Sequence, residues 1–358
     1  MYTETLHPFG DPMTPASQAR IYRTVYMAST TNGGVLGRVV LGRDGEVKPR
    51  VGRNGIGISL TVDGLWVDRS SGLATSHMSY APDANVFHST GYDRLFLVPI
   101  TEFVERPLRP DLPKLIVNSI PKSGTYFMEA ALSSLGLAPL HIHLANSYFH
   151  DNRGIPAEDI HAAPYTRHVE VPSGVIAHVM QPGEMAVGHI DDHAQMDEAI
   201  AAGATLLHCV RDLRDVVISY YHFMRKSVRP RCAADEMWRT QHGAAGLAAF
   251  LVYTEERDMS FVAQMARSIL GRNDPIVRYE DMVRGVLPHD AIAQLTAAGG
   301  MSEAALNSAF HGAYGQDTST WSGGTNRRAE LWSAEVEHYF QQTGLAGLNV
   351  RLGYPEHP

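Results

Sequence analysis

The chain has 358 residues, of which 44% are hydrophobic, and a formal net charge of −8 at pH 7. That hydrophobic share excludes general disorder, and the acidic balance excludes a global electrostatic footprint for nucleic acid. Two cysteines, Cys209 and Cys232, exclude a disulfide framework and fit a reducing compartment. The N-terminus, MYTETLHPFGDPM, has no basic region followed by an apolar stretch, and no segment approaches the ~20 apolar residues of a membrane span. The expectation is a soluble cytoplasmic protein without a signal peptide.

From Ile21 to about Val98, short β-prone runs alternate with the turn dipeptides Asn32-Gly33, Asp44-Gly45, Asn54-Gly55 and Asp63-Gly64. These pairs favour the positive φ angles of two-residue hairpins, and their spacing predicts an antiparallel meander or small sandwich. Val35–Leu41 and Ile56–Val62 are the expected strands, and no helix-length pattern precedes Lys114. Trp66, Tyr80, Phe87, His88 and Tyr92 can stack on a sugar, although core and rim of a β module is the simpler assignment. Pro107, Pro110 and Pro113 then stiffen the link VERPLRPDLPK. The expected division is a β-rich module over 1–106 and an α/β domain over 107–358.

Lys114 to Gly136 reads KLIVNSIPKSGTYFMEAALSSLG. Leu115 to Ile120 has the β-branched composition of a buried parallel strand, and Pro121 stops it. Lys122-Ser123-Gly124-Thr125 makes a short turn, and Tyr126 onward predicts a helix closed by Gly136. Strand, tight turn, then helix is an arrangement that binds phosphate, because the first helical N–H groups and the helix dipole face the anion. The nucleotide-hydrolase loop GxxxxGK[ST] is absent. Pro-Lys-Ser-Gly-Thr after a buried strand instead resembles the 5′-phosphosulfate loop of the sulfotransferases, which use 3′-phosphoadenosine 5′-phosphosulfate (PAPS).

Histidines follow at 141, 143, 150, 161, 168, 178, 189 and 193. His141 and His143 can offer two metal ligands on one strand face, but no Cys or carboxylate stands beside them at a familiar metal spacing. His189 ends the short apolar strand Glu184–His189, where open parallel sheets carry their catalytic groups. Ala194–Ala202 predicts a helix closed by Gly203, and Ala204–Val210 the next buried strand. His189 and Arg211 thus take equivalent positions at the exits of neighbouring strands.

The segment RDLRDVVISYYHF, from Arg211 to Phe223, reads as a strand end running into a helix. Asp215 is the expected cap of a helix starting at Val216, with Ser219 one turn in and close to Arg211. A guanidinium and a hydroxyl converging on one point suit a phosphate monoester. Arg214, Arg225, Lys226, Arg229 and Arg231 add positive charge, mostly as a solvated helix face. The segment is similar to the 3′-phosphate-binding segment of cytosolic-type sulfotransferases. Pro275 to Met282 is similar to that family's Tyr-Glu-Asp segment, whose tyrosine lies against the adenine; Tyr279 matches it. The stretch Trp321 to Trp332 holds the glycines and the basic pair Arg327-Arg328 of the family's late 3′-phosphate loop, in altered order. Leu352-Gly353-Tyr354 is similar to its closing segment.

The resemblance, over residues 114 to 354, implies a P-loop-like α/β fold: an open parallel sheet with flanking helices, here preceded by the antiparallel β module. It implies sulfuryl transfer from PAPS, as co-substrate and without a metal, to a hydroxyl or amine of a glycan, glycolipid or small metabolite. Lys122 would stabilise the leaving 5′-phosphate oxygen, and Ser123, Gly124, Thr125 and Tyr126 would hold the phosphosulfate. Arg211, Ser219, Arg327 and Arg328 would serve the 3′-phosphate and Tyr279 the adenine. His189 is the expected base, with Glu184, Asp191 and Asp192 as carboxylate alternatives. Other readings are a non-catalytic nucleotide-sensing or glycan-binding protein and a P-loop-like kinase. Oligomerisation is open.

Overall fold

A computed structural model describes residues 15–30, 35–41, 47–48, 58–60, 65–68, 74–81, 83–89, 95–104, 106–107, 109–162, 167–314 and 327–356. The first sheet comprises β1 (Thr24–Thr30), β2 (Val35–Leu41), β3 (Val47–Lys48), β4 (Ile58–Leu60), β5 (Leu65–Asp68), β6 (Ala74–Ala81), β7 (Val86–Ser89) and β8 (Leu95–Glu102). Their order is β3-β2-β1-β8-β7-β6-β5-β4, and the described pairings are antiparallel. All four expected turn dipeptides lie outside the described residues, but the strands on either side of three of them pair as hairpins do. Tyr80 and Phe87 pack on each other, 4.6 Å between ring centroids, with Tyr26 against Phe87; they are core. Tyr92, and the side chains of Trp66 and His88, lie outside the described set.

One expectation fails here: a helix, Pro15–Tyr22, precedes β1. It spans only two turns, too short for periodicity to show in the sequence. Tertiary contacts hold it, since Ile21 is buried in the first sheet's core and Arg20 pairs with Glu102 at 2.9 Å.

The second sheet comprises β9 (Lys114–Ser119), β10 (Ala138–Leu144), β11 (Phe149–Asp151), β12 (His168–Val169), β13 (Glu184–Gly188), β14 (Ala204–Val210) and β15 (Ile276–Arg278), in the order β12-β11-β10-β13-β9-β14-β15. β10, β13, β9, β14 and β15 run parallel; β11 and β12 form an antiparallel edge. Alternate residues of the central strands enter opposite cores. Leu115, Val117, Met185 and Val187 pack under the helix Thr125–Ser134, while Ile116, Ala186 and Leu206 pack with the helices Ser173–Val179 and His193–Ala201. A third core gathers the helices Leu213–Lys226, Gly243–Thr254, Ser260–Leu270 and Ala334–Gln342. Helices on both faces follow from strands apolar on both faces.

The two sheets share a core: Val25, Val40 and Phe103 pack with Ile116, Ile142 and Ala186. Arg23 of the first sheet also forms a buried ion pair with Glu184 of β13, at 2.6 Å. No described helix is long and apolar enough to cross a membrane.

Candidate functional site

Parallel strands expose their carboxyl ends on one edge of the sheet. In sheet order, β10, β13, β9, β14 and β15 bring His143, His189, Ser119 with Lys122, Arg211 and Tyr279 to that edge. The loop after β9 is closed by Ser123 N–H donating to the Ile120 carbonyl (3.1 Å). Lys122 has φ +69, a left-handed conformation costly for a side chain of its size. Gly124 has φ +95, and a Cβ there would stand 2.6 Å from Cδ2 of Tyr279. Only glycine therefore lets the turn pass beneath that ring. The helix then begins at Thr125, whose hydroxyl lies 2.6 Å from Ser119 Oγ.

The loop's donors suit an anion. Ser123 Oγ and Arg211 Nε are buried without a hydrogen-bond partner among the described residues. Arg211 stacks on Tyr279, 4.4 Å from guanidinium carbon to ring centroid, and donates to the Lys122 carbonyl at 3.5 Å. Lys122 Nζ stands 4.1 Å from the Phe223 ring centroid. Burial, and then the Arg211 charge, lower the Lys122 ammonium to a pKa of about 7. Two cations, an orphaned hydroxyl and the opening N–H groups of a helix fit a phosphosulfate or phosphate ester.

One strand away, His189 Nδ1 donates to the Ser119 carbonyl at 2.6 Å. Asn118 holds the segment after it: its amide donates to the Ile190 carbonyl (2.8 Å) and its oxygen accepts from Ile190 N–H (2.7 Å). A Cβ at Gly188 would collide with the Leu144 carbonyl oxygen, so β13 and β10 approach closely at this point. Burial, with the Lys122 charge beside it, pushes the His189 imidazole down to about 4.

The carboxylate alternatives are engaged elsewhere. Glu184 lies at the opposite end of β13, bound to Arg23 and to the Gln181 N–H. Asp192 caps the helix His193–Ala201. Asp191 accepts from the Asn146 side chain.

Around Arg211 several expectations need correction. The helix after Arg211 runs Leu213–Lys226, so it starts at Leu213 rather than Val216, and Asp212, not Asp215, is its cap. Asn349 decides this: it accepts from Leu213 N–H (2.7 Å) and donates to Asp212 (3.2 Å). Ser219 accordingly lies deeper in the helix than expected, and no hydrogen bond among the described residues joins it to Arg211. Arg214 is not on a solvated face; it is buried, paired with Glu337 (3.1 Å) and donating to the Pro355 carbonyl. Arg225 and Arg231 are likewise engaged, with Tyr221 and with Asp235 and Asp258. Arg328 pairs with Asp212 (2.8 Å) and Asp215 (2.9 Å), at the helix start next to Arg211. Arg327 lies in the same short helix, Arg327–Leu331, with its side chain outside the described set.

Tyr126 meets His143: its hydroxyl lies 3.5 Å from His143 Nδ1. His143, read in the sequence only as half of a metal pair, is the group that reasoning missed. Its ring centroid is 4.5 Å from that of His189. His141 is exposed with φ +54, and the β10–β13 register shifts between Pro139 and His143. A bulge of this kind is invisible to a period-two pattern. Phe127, expected only as helix core, also borders the site, 6.1 Å from the Tyr279 ring.

Residues 112–287 match the sulfotransferase domain family. Among solved structures, the chain is similar to mouse sulfotransferase SULT7A1 complexed with PAP, with 14% identity and a TM-score of 0.39 over 71% of this chain and 91% of that one. It is also similar to retinol dehydratase in complex with androsterone and inactive cofactor PAP, with 14% identity and a TM-score of 0.32 over 69% and 81% of the two chains. No curated protein matches the sequence. The part of the chain that matches the sulfotransferase domain family, Leu112 to Leu287, takes in the loop, the strand-end histidine and the Arg211 segment.

Proposed function

We propose that this protein transfers the sulfuryl group of PAPS to a hydroxyl or amine of an acceptor. The observation that supports this best is the order along the sheet edge: an imidazole, a half-buried ammonium and a stacked guanidinium on adjoining strand tips. A bisphosphorylated donor needs two anion cradles, and its acceptor needs a base on the far side of the transferred group.

In this reading the amides of Gly124, Thr125 and Tyr126, with Ser123 Oγ, hold the phosphosulfate, and Lys122 meets the charge that gathers on the leaving 5′-phosphate oxygen. Arg211 and Ser219 serve the 3′-phosphate, with Arg327 and Arg328 closing from the late helix, and Tyr279 bounds the adenine. Nε2 of His189 takes the acceptor proton. As the acceptor oxygen–sulfur bond forms, the bond from sulfur to the 5′-phosphate oxygen breaks. The acceptor is a glycan, glycolipid or small metabolite.

Calorimetric titration with adenosine 3′,5′-bisphosphate and with ATP tests the donor side. Tight binding of the bisphosphate and at least tenfold weaker binding of ATP are expected. Equal or inverted preference overturns the reading, as does failure of labelled PAPS to pass its sulfur to any hydroxyl or amine acceptor.

A further inference from the structure

We propose that Tyr126 and His143 form a second hydroxyl-binding pair beside His189, so that the acceptor is an uncharged vicinal diol, as in a polyol or sugar. This rests on sulfuryl transfer as the reaction and specifies its acceptor side.

The contact within the pair is long. At 3.5 Å the contact between the Tyr126 hydroxyl and His143 Nδ1 is at the outer limit of a hydrogen bond. Both side chains are half-buried, so each keeps an open side on which a substrate hydroxyl can take the place of water. A substrate hydroxyl that accepts from one and donates to the other satisfies both. The His143 ring stands against that of His189, at 4.5 Å and 65°. One hydroxyl at Nε2 of His189 and a neighbouring one at the pair therefore fall side by side.

The backbone is bent to place His143 there. The register with β13 shifts between Pro139 and His143, and His141 adopts φ +54. Such bulges re-aim side chains beside functional sites, and a non-glycine residue at positive φ is strained.

The pair itself is uncharged at neutral pH, and the Lys122 charge that acts on His189 belongs to the donor side. Burial holds both imidazoles neutral, pushes the Tyr126 phenol up to about 12 and raises the Glu129 carboxyl, one turn along the same helix, to about 7. Phe261, 6.2 Å from the His189 ring, adds an apolar wall suited to the C–H face of a ring.

The test compares cis-1,2-cyclohexanediol with cyclohexanol as acceptors for PAPS. The wild-type enzyme is expected to prefer the diol in kcat/KM by at least about tenfold. Tyr126→Phe and His143→Gln are each expected to bring that ratio within about threefold. Equal use of the two alcohols, turnover of neither, or a preference that survives both substitutions overturns the proposal. Tyr126→Phe removes one oxygen; should it fail to fold, His143→Gln decides. Binding of adenosine 3′,5′-bisphosphate to the wild type separates the two levels. If it binds and no diol preference appears, only the acceptor assignment falls; if it does not bind, the transfer reading falls with it.

Discussion

His189 Nδ1 donates to the Ser119 carbonyl across 2.6 Å, from the tip of β13 to the tip of β9. A ring nitrogen committed as donor leaves the other, Nε2, as the lone-pair site. The bond that orients the ring thus also selects its tautomer. In the proposed reaction His189→Ala lowers kcat by about 10²- to 10⁴-fold, the usual worth of a positioned base, while bisphosphate affinity changes little. Turnover near wild type would remove His189 from the mechanism.

The pH dependence of kcat follows from the same ring. With a pKa of about 4, His189 stays neutral and able to accept a proton from pH 8 down to about pH 5. No acid-side loss of kcat is expected in that window, and activity falls only as pH approaches 4. A midpoint near 6.5 in the kcat profile would show a differently placed base.

Lys122 sets a second pH dependence, on binding. Its pKa of about 7 means the ammonium is charged below pH 7 and mostly neutral above it. A bound phosphate ester stabilises the charged form, so its pKa rises in the complex. Below pH 7 no proton is needed; above it, binding takes one up. Bisphosphate Kd is therefore expected to rise by up to about tenfold per pH unit above pH 7. Calorimetry in two buffers of different ionisation enthalpy reads the proton directly, and Lys122→Met should abolish the uptake.

Gly124→Ala puts a methyl group 2.6 Å from the Tyr279 ring at φ +95. The expected cost is about 1–2 kcal/mol of stability from backbone conformation alone, with further loss if the ring cannot move. Because Arg211 stacks on Tyr279, bisphosphate affinity should fall as well. A melting curve and a titration of the same sample check both.

Glu184→Ala leaves the buried Arg23 guanidinium without its carboxylate. Breaking such a pair costs about 3–5 kcal/mol. We propose that the first sheet and the α/β part unfold as one unit, since they share this pair and a core. A single, lowered melting transition is expected; two separate transitions in the wild type would refute that unity. The folded fraction of Glu184→Gln should retain kcat, because Glu184 lies at the far end of β13.

What the sequence determined by itself was local. A β-branched run, Pro121, a Lys-Ser-Gly-Thr turn and an amphipathic run specify strand, loop and helix without help from distant residues, and the order of loop, His189 and Arg211 carried the family resemblance. The strands β2 and β14 were legible to the residue, and the antiparallel module in outline. Tertiary structure decided what depends on partners far along the chain. Asn349 moves the helix start to Leu213, Glu337 draws Arg214 inside, and Arg23 claims Glu184 across 161 positions. The bulge that turns His143 toward His189 belongs to the same class. A charged or hydrogen-bonding side chain takes whichever partner burial leaves within reach, and that reach is set by packing, not by spacing in the sequence.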